Sequence, residues 1–289
     1  MQKLIVEPKY NNKKLSTFLY SHFNGLTSST LHKALRKKDI RINDIRINED
    51  KIIHEFDTIT IYIIDELLYK KIEIKKIYED DNILVISKPI NIEVVSEQNE
   101  ETITNILEKE YSYIKPCHRL DRNTIGLVLF AKNPESLQIL LEKFKSKEIE
   151  KKYYCTVIGK MSNKQALLKA YLFKDTKKSL VYISDTPKKG YQEILTKYTV
   201  LSENSKNSTS FLEIELITGR THQIRAHLAH IGHPIIGDGK YGINEINKKN
   251  KCKYQQLQNH QITFKFSSPA GILEYLNNKE INIPCELKQ

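Results

Sequence analysis

Tryptophan is absent from the 289 residues, and arginine is scarce, with seven against 39 lysines. Cysteine is sparse too. Cys117, Cys155, Cys252 and Cys285 are widely spaced with no C-x-x-C pair. That excludes a disulfide framework and a zinc ribbon, and fits a reducing compartment. No stretch approaches the ~18 consecutive apolar residues of a membrane span. The opening MQKLIVEPKY has no apolar run of the signal-peptide kind. A cytoplasmic location follows as the expectation, with no membrane partner. There is no glycine-rich nucleotide-binding loop and no H-E-x-x-H. Neither a nucleotide cofactor nor a bound metal is therefore expected.

What is present is charge of one sign. Hydrophobic residues make up 39% and charged residues 28%, an ordinary globular composition, yet the formal net charge is +11. Such an excess favours an anionic partner, and nucleic acid is the commonest at this size. The seven arginines fall in three clusters: Arg36/Arg41/Arg46, Arg119/Arg122 and Arg220/Arg225. Arginine brings a planar, permanently charged fork that grips phosphate or carboxylate at two points. In a chain whose default cation is lysine, its positions are informative. A monomer is expected.

Residues 14–63 form the first unit in this reading. LSTFLYSHF carries Leu15, Phe18 and Leu19 at helical spacing, and Gly25 stops that helix. Ser28 is the expected cap of a second helix, with Leu31, Ala34 and Leu35 as its apolar face and Lys33, Arg36 and Lys37 largely opposite. The β-like segments DIRIN, DIRIN and DTITIYII follow, the first carrying Arg41. The pattern GLTSSTLHKALRKKDIRIN resembles the small α-L RNA-binding domain of a ribosomal small-subunit protein and of tyrosyl-tRNA synthetases. The competing reading is a solvated charged helix on a structural domain. Residues 64–76 read as a linker.

From 77 to 289 strands dominate, among them NILVISKP, GLVLFAK, KYYCTVIG, SFLEIELI and QITFKF. Two helices stand out. Asn133 caps one, Pro134 opens it, and Leu137, Leu140, Leu141 and Phe144 line one face. Thr221 is the expected cap of the other, with Ile224, Leu228 and Ile231 as its buried stripe and Gly232 with Pro234 at its end. Many strands with few interleaved helices predict an α+β fold with a mainly antiparallel mixed sheet.

Two segments carry chemistry. In HRLD (118–121) an extended chain turns Arg119 and Asp121 to one side and His118 and Leu120 to the other. An arginine beside a carboxylate favours its ionised form. Asp121 is then a candidate nucleophile or base; the alternative is a structural ion pair. In TGRTHQIRAHLAHIGHPIIGD (218–238), Arg220 precedes a helix N-terminus, where anions bind readily. His222 and Arg225 lie three apart on one side. Four histidines within twelve residues invite a metal reading. His222 and His227, however, stand about 140° apart around a helix, which disfavours it. Cys117 and His118 point oppositely in an extended segment, so a thiol nucleophile is discounted.

Three ordered segments together resemble the RluA family of RNA pseudouridine synthases. HRLDRNTIGLVLFAKN (118–133) is similar to the family's H-R-L-D-x-x-T-S-G-L-L-L-x-A-K, with Ile125 where serine is common. KKYYCTVIG (151–159) is similar to K-x-Y-x-A-x-V-x-G, and TGRTHQIRAHLAHIGHPIIGDGKYG (218–242) matches the third segment almost throughout. QLQNHQITFKFSSPAG is similar to its last strand. The resemblance implies an enzyme that detaches the base of a uridine in RNA, turns it and rejoins it through carbon without a cofactor. It implies Asp121 as the catalytic aspartate. Tyr153 would stack on the uracil and take part in removing the proton from the rejoined carbon. Arg225 would be the partner of Asp121, and Arg119 would fill the gap left by the displaced base. Arg220 is expected at a phosphate, and Lys33, Arg36, Lys37 and Arg41 at the RNA surface. Whether the aspartate attacks the sugar, attacks the ring or removes a sugar proton stays open. So does the RNA: the α-L domain points to large-subunit ribosomal RNA, with transfer RNA as the other target. The alternative from another class is a non-catalytic RNA-binding or ribosome-assembly protein. Arg122 has no assigned role.

Overall fold

The computed structural model describes residues 1–69, 72–97 and 101–287. It divides the chain into two compact units, Met1–Glu73 and Ile74–Gln289.

In the first unit, β1 (Gln2–Ile5), a 3₁₀ turn (Pro8–Tyr10) and β2 (Lys13–Lys14) precede α1 (Leu15–His22) and α2 (Ser28–Lys37). Then come β3 (Ile40–Ile42), β4 (Ile45–Ile47), β5 (Ile52–Ile53), β6 (Thr58–Ile61) and α3 (Asp65–Leu68). Strands β1, β6, β3 and β4 form a four-stranded antiparallel sheet in that order. Leu15, Phe18 and Leu19 of α1 and Leu31, Ala34 and Leu35 of α2 are buried with Ile40, Ile59 and Ile61 of the sheet. The helical spacing of these apolar residues is what places both helices on one core. The cap of α2 is Thr27 rather than Ser28: its hydroxyl accepts the Thr30 N–H at 3.1 Å. The unit is wider than residues 14–63. β1 supplies an edge strand, and Leu68, inside the expected 64–76 linker, is fully buried in the core. Lys70 and Lys71 of that linker lie outside the described residues.

The second unit begins with β7 (Lys75–Glu79), β8 (Ile83–Lys88), α4 (Ile103–Leu107), β9 (Lys115–Pro116), β10 (Ile125–Ala131), α5 (Pro134–Lys145) and β11 (Ile149–Ile158). It continues with β12 (Gln165–Asp175), β13 (Leu180–Ser184), β14 (Gln192–Asn204), β15 (Thr209–Leu216) and α6 (Gln223–His230). It ends with α7 (Asn244–Lys249), β16 (Leu257–Phe264), a 3₁₀ segment (Gly271–Leu276) and β17 (Glu280–Asn282). The strands join one sheet in the order β13-β12-β14-β15-β11-β16-β10-β8-β7, with β17 beside β16 and β9 beside β10. Every pairing is antiparallel except β10 with β16. Gly126 permits that parallel contact: a β-carbon there would meet the Asn259 carbonyl oxygen at 2.1 Å, and its φ is +108°. The α+β class with a mainly antiparallel mixed sheet is what the chain adopts.

Asn133 caps α5 by accepting the Ser136 N–H at 2.8 Å, with Pro134 at the first helical position. Its apolar face is narrower than the sequence suggests. Leu141 is exposed, and Lys143 is buried instead, its ammonium 2.8 Å from Glu148. Residues 118–124 run into β10, so β10, β16 and β11 set the HRLD loop two strands away from Tyr153. Helix α6 follows the segment leaving β15, the other neighbour of β11.

Candidate active site

The convergence is built from three elements. Asp121 sits in the loop before β10, Tyr153 on β11 and Arg225 in the first turns of α6. All three, with Arg119 and Arg220, line one cavity of about 260 Å³. Leu120, Leu216, Ile224 and Leu257 give it apolar walls. The extended alternation expected in HRLD is not kept: residues 118–121 form no strand, and His118, Arg119, Leu120 and Asp121 all line this cavity, Arg119 exposed and Leu120 buried. Lys33, Arg36, Lys37 and Arg41 belong to the first unit. The three on α2 are exposed, and Arg41 is partly so.

Arg225 joins the two distant motifs. Its Nη1 donates to Asp121 Oδ2 at 2.7 Å. Its Nε and Nη2 donate to the two oxygens of Asp238 at 2.6 and 2.9 Å. Arg225 is 6% exposed and Asp238 fully buried. Asp238 is the partner that sequence reasoning missed. Gly237-Asp238 was visible as a motif, but nothing in the spacing says which side chain the carboxylate meets. The turn that places it needs glycine: at Gly237 φ is +80°, and a β-carbon would meet the Tyr254 carbonyl oxygen at 2.0 Å. Asp238 Oδ1 also accepts the N–H groups of Lys240 and Tyr241. Burial pulls its pKa upward, but the Arg225 hydrogen bonds and charge outweigh burial and hold it below the ordinary value.

His222 approaches Asp121 Oδ2 to 3.9 Å through Nε2. Its Nδ1 is 2.8 Å from the Tyr241 hydroxyl, which in turn accepts the Val181 N–H at 3.0 Å. Burial pushes the imidazole down to about 4, against the pull of Asp121, so it is neutral at physiological pH. The α6 cap is therefore not Thr221. His222 occupies that position in the left-handed region (φ 53°) and makes no side-chain cap. Gln223 does the local tying instead, accepting from Arg220 N–H and the Thr218 hydroxyl and donating to Leu195 O and the Thr196 hydroxyl.

Tyr153 is 4% exposed, and the β11–β16 register shifts between Lys152 and Tyr153. Such bulges re-aim a side chain beside a site. Burial, then the Asp121 charge, raises its phenol pKa, so it is a neutral O–H at working pH. The hydroxyl has no hydrogen bond among the described residues.

Behind the loop, Lys88 is fully buried at the end of β8, and Nζ donates to the carbonyls of Pro89, Ile92 and Arg122 at 2.8, 2.9 and 3.0 Å. Burial pushes it down to about 7, and the Asp121 charge opposes that shift. Arg122, unassigned from sequence, donates from Nε to the Asn91 carbonyl at 3.3 Å. The histidines of 218–238 disperse: His227 goes to Thr196, His230 to Asp185 and His233 to the Ile158 carbonyl. Among the described residues no three metal-ligating side chains converge, and no helix is long and apolar enough to cross a membrane.

The RNA pseudouridylate synthase family model matches residues 82–230, spanning the Asp121 loop, Tyr153 and Arg225. This chain belongs to that family, a family of RNA-modifying isomerases. It is 31% identical over 82% of its length to the mitochondrial tRNA pseudouridine(32) synthase of Saccharomyces cerevisiae, of which it spans only 52%. It is 32% identical to the ribosomal large subunit pseudouridine synthase C of Buchnera aphidicola, covering 89% of this chain and 87% of that one. The fold is shared with human RNA pseudouridylate synthase domain containing 1, with a TM-score of 0.60 at 20% identity over 73% of this chain and 83% of that one.

Proposed function

We propose that this protein isomerises specific uridines to pseudouridine in large-subunit ribosomal RNA, with Asp121 as its catalytic carboxylate and no cofactor. The observation that carries the reading is the Asp121–Arg225–Asp238 chain at the wall of a cavity that Tyr153 also lines. Arg225 occupies Asp121 Oδ2, and Oδ1 makes no hydrogen bond among the described residues. Attack on the sugar, attack on the ring and removal of a sugar proton all need one such free oxygen.

The base must first leave its stack, at a cost of a few kcal/mol. Arg119 is exposed and its side chain makes no hydrogen bond or ion pair among the described residues, which suits it to fill the vacated space. Tyr153 offers an aromatic face and a neutral hydroxyl to the uracil. Because its phenol is held protonated, it serves as a donor or stacking surface more readily than as a free base. In the first unit, Arg41 stands directly opposite Arg46 on the β3–β4 hairpin. Like charges so placed repel. Neither has a carboxylate partner among the described residues, which supports a phosphate-binding, α-L-type surface that includes Lys33, Arg36 and Lys37. The Buchnera relative, matched over most of its length, is named for the large ribosomal subunit; the yeast relative, matched over about half, is named for transfer RNA. A cytoplasmic monomer is the expected form.

The test is tritium release from RNA labelled at carbon 5 of uracil. The native protein should release tritium and Asp121→Asn should release none. Mapping pseudouridines in a deletion strain against its parent then separates ribosomal from transfer RNA. Absence of release from every cellular RNA fraction would overturn the assignment.

A further inference from the structure

A second pocket of about 450 Å³ adjoins the catalytic cavity. The two share His118, Lys151, Leu216, Gly219 and Arg220 as a common wall. Phe144, Ile149 and Leu216 make part of the second pocket apolar, and the exposed Lys145 and Lys147 lie along it.

Lys151 is the unusual member of the shared wall. It makes no hydrogen bond or ion pair among the described residues, and its ammonium lies 4.6 Å over the Phe144 ring. The carboxylates nearest in the second pocket are already engaged, Glu150 with Lys265 at 2.8 Å and Glu215 with Lys197 at 2.9 Å. Asp121 is engaged by Arg225. His118 adds no charge: its Nε2 accepts the Leu129 N–H at 3.2 Å, and burial pushes its pKa far down, so the ring is neutral. Gly219 stands beside the ammonium: a β-carbon there would lie 3.9 Å from Nζ, at ordinary contact distance. Burial lowers the Lys151 pKa only to about 8, so it is cationic at neutral pH. A half-buried cation without a counter-charge among the described residues is under-compensated in the free protein, and an arriving anion gains correspondingly.

We infer that Lys151 grips the phosphate joining the target uridine to its neighbour, with the uridine in the catalytic cavity and the adjoining nucleotide in the second pocket. Arg220, exposed on the same wall and without an ion pair among the described residues, offers a second cation from the rim, while Lys151 is the cation set between the two spaces. The inference rests on the RNA pseudouridine synthase reading for the identity of that anion.

The probe is total RNA, labelled at carbon 5 of uracil, from a strain lacking the protein. Filter binding and single-turnover tritium release are followed from about 50 to 200 mM KCl. Lys151→Gln should weaken binding about tenfold or more and reduce the salt slope of log affinity by about 0.7. Lys151→Arg should keep the native slope. Lys151→Gln removes an unpaired cation, so it should melt no lower than the native protein. An unchanged slope, or a lost rate with unchanged affinity, overturns the inference. Asp121→Asn separates the two claims: it should bind with the native slope and release no tritium. If the native protein itself releases none, the enzymatic reading falls, while filter binding still decides whether Lys151 holds a phosphate.

Discussion

Asp238→Asn keeps the shape of a fully buried side chain and removes its charge. Lys240 and Tyr241 donate N–H groups to Oδ1 at 2.8 and 3.0 Å, so the amide oxygen must stay there. The NH₂ then faces Arg225 Nε at the position where Oδ2 stood, 2.6 Å away, donor against donor. Arg225 is left buried with one carboxylate, itself 24% exposed, in place of two. Removing one partner of a buried ion pair costs about 3–5 kcal/mol. At roughly 2–4 °C per kcal/mol for a unit of this size, the melting temperature should fall by roughly 6–20 °C. Release of Asp121 from a fixed guanidinium forfeits about one charge-assisted hydrogen bond, so kcat/KM should fall about tenfold to a hundredfold. The measurements are thermal and urea unfolding together with tritium release. The acid limb gives a further check. With its folded pKa held below the ordinary carboxylate value, Asp238 contributes stability that is full above that value and lost as pH falls through the depressed one. Native and variant stabilities should therefore converge in acid. If melting shifts by less than about 2 °C and activity by less than about threefold, the Arg225–Asp238 contact does not organise the site.

Two further outcomes depend on charge. Burial, then the neighbouring His230, pushes His227 down to about 4. Its contribution to stability is present above 6.5 and is lost as pH falls to about 4, because the unfolded chain takes up the proton first. Urea unfolding across that range should show a slope of up to about 1.4 kcal/mol per pH unit that His227→Gln removes, and an unchanged slope would contradict the burial argument. Arg41→Gln with Arg46→Gln relieves the hairpin repulsion but loses the Arg41 guanidinium from over the Tyr62 ring, 5.0 Å away, so melting should change little while RNA affinity loses about 0.7–0.9 of salt slope per arginine; an unaltered slope would remove the first unit's arginines from the RNA surface.

The sequence made the helices legible for a physical reason, while Asp121, Tyr153 and Arg225 were singled out by resemblance to a family's motifs. Leu15, Phe18 and Leu19, and Asn133 with Pro134, are local signals that no distant residue need confirm. The caps of α2 and α6 were misplaced by one residue each, because neighbouring Thr27 and Ser28, or Thr221 and His222, differ only in which backbone conformation the turn imposes. Leu141 was wrongly placed in the core of α5, since periodicity cannot tell that a Lys143–Glu148 pair would be buried in the same helix. Asp238, Lys88 and Lys151 went unread for a different reason. Each takes its setting from residues remote in the chain: Asp238 from Arg225, Lys88 from the carbonyl of Arg122, Lys151 from the wall it forms with Gly219 and Arg220. One faint signal existed: Lys88 ends the apolar run NILVIS, where a solvated lysine is out of place.

The scarcity of arginine acquires a geometric meaning. Arg225 uses Nε, Nη1 and Nη2 to hold two carboxylates in fixed directions, which a single ammonium could not do. Lys88 has the converse task. Three carbonyls surround one point at 2.8, 2.9 and 3.0 Å, and an ammonium with three donors matches them where a planar fork would not. The two cations fix the same loop by different handles. Lys88 holds the backbone just after Asp121, and Arg225 holds the Asp121 side chain through Oδ2. With main chain and carboxylate both pinned, Oδ1 is the Asp121 oxygen that makes no hydrogen bond among the described residues, and it is the atom the proposed chemistry would use.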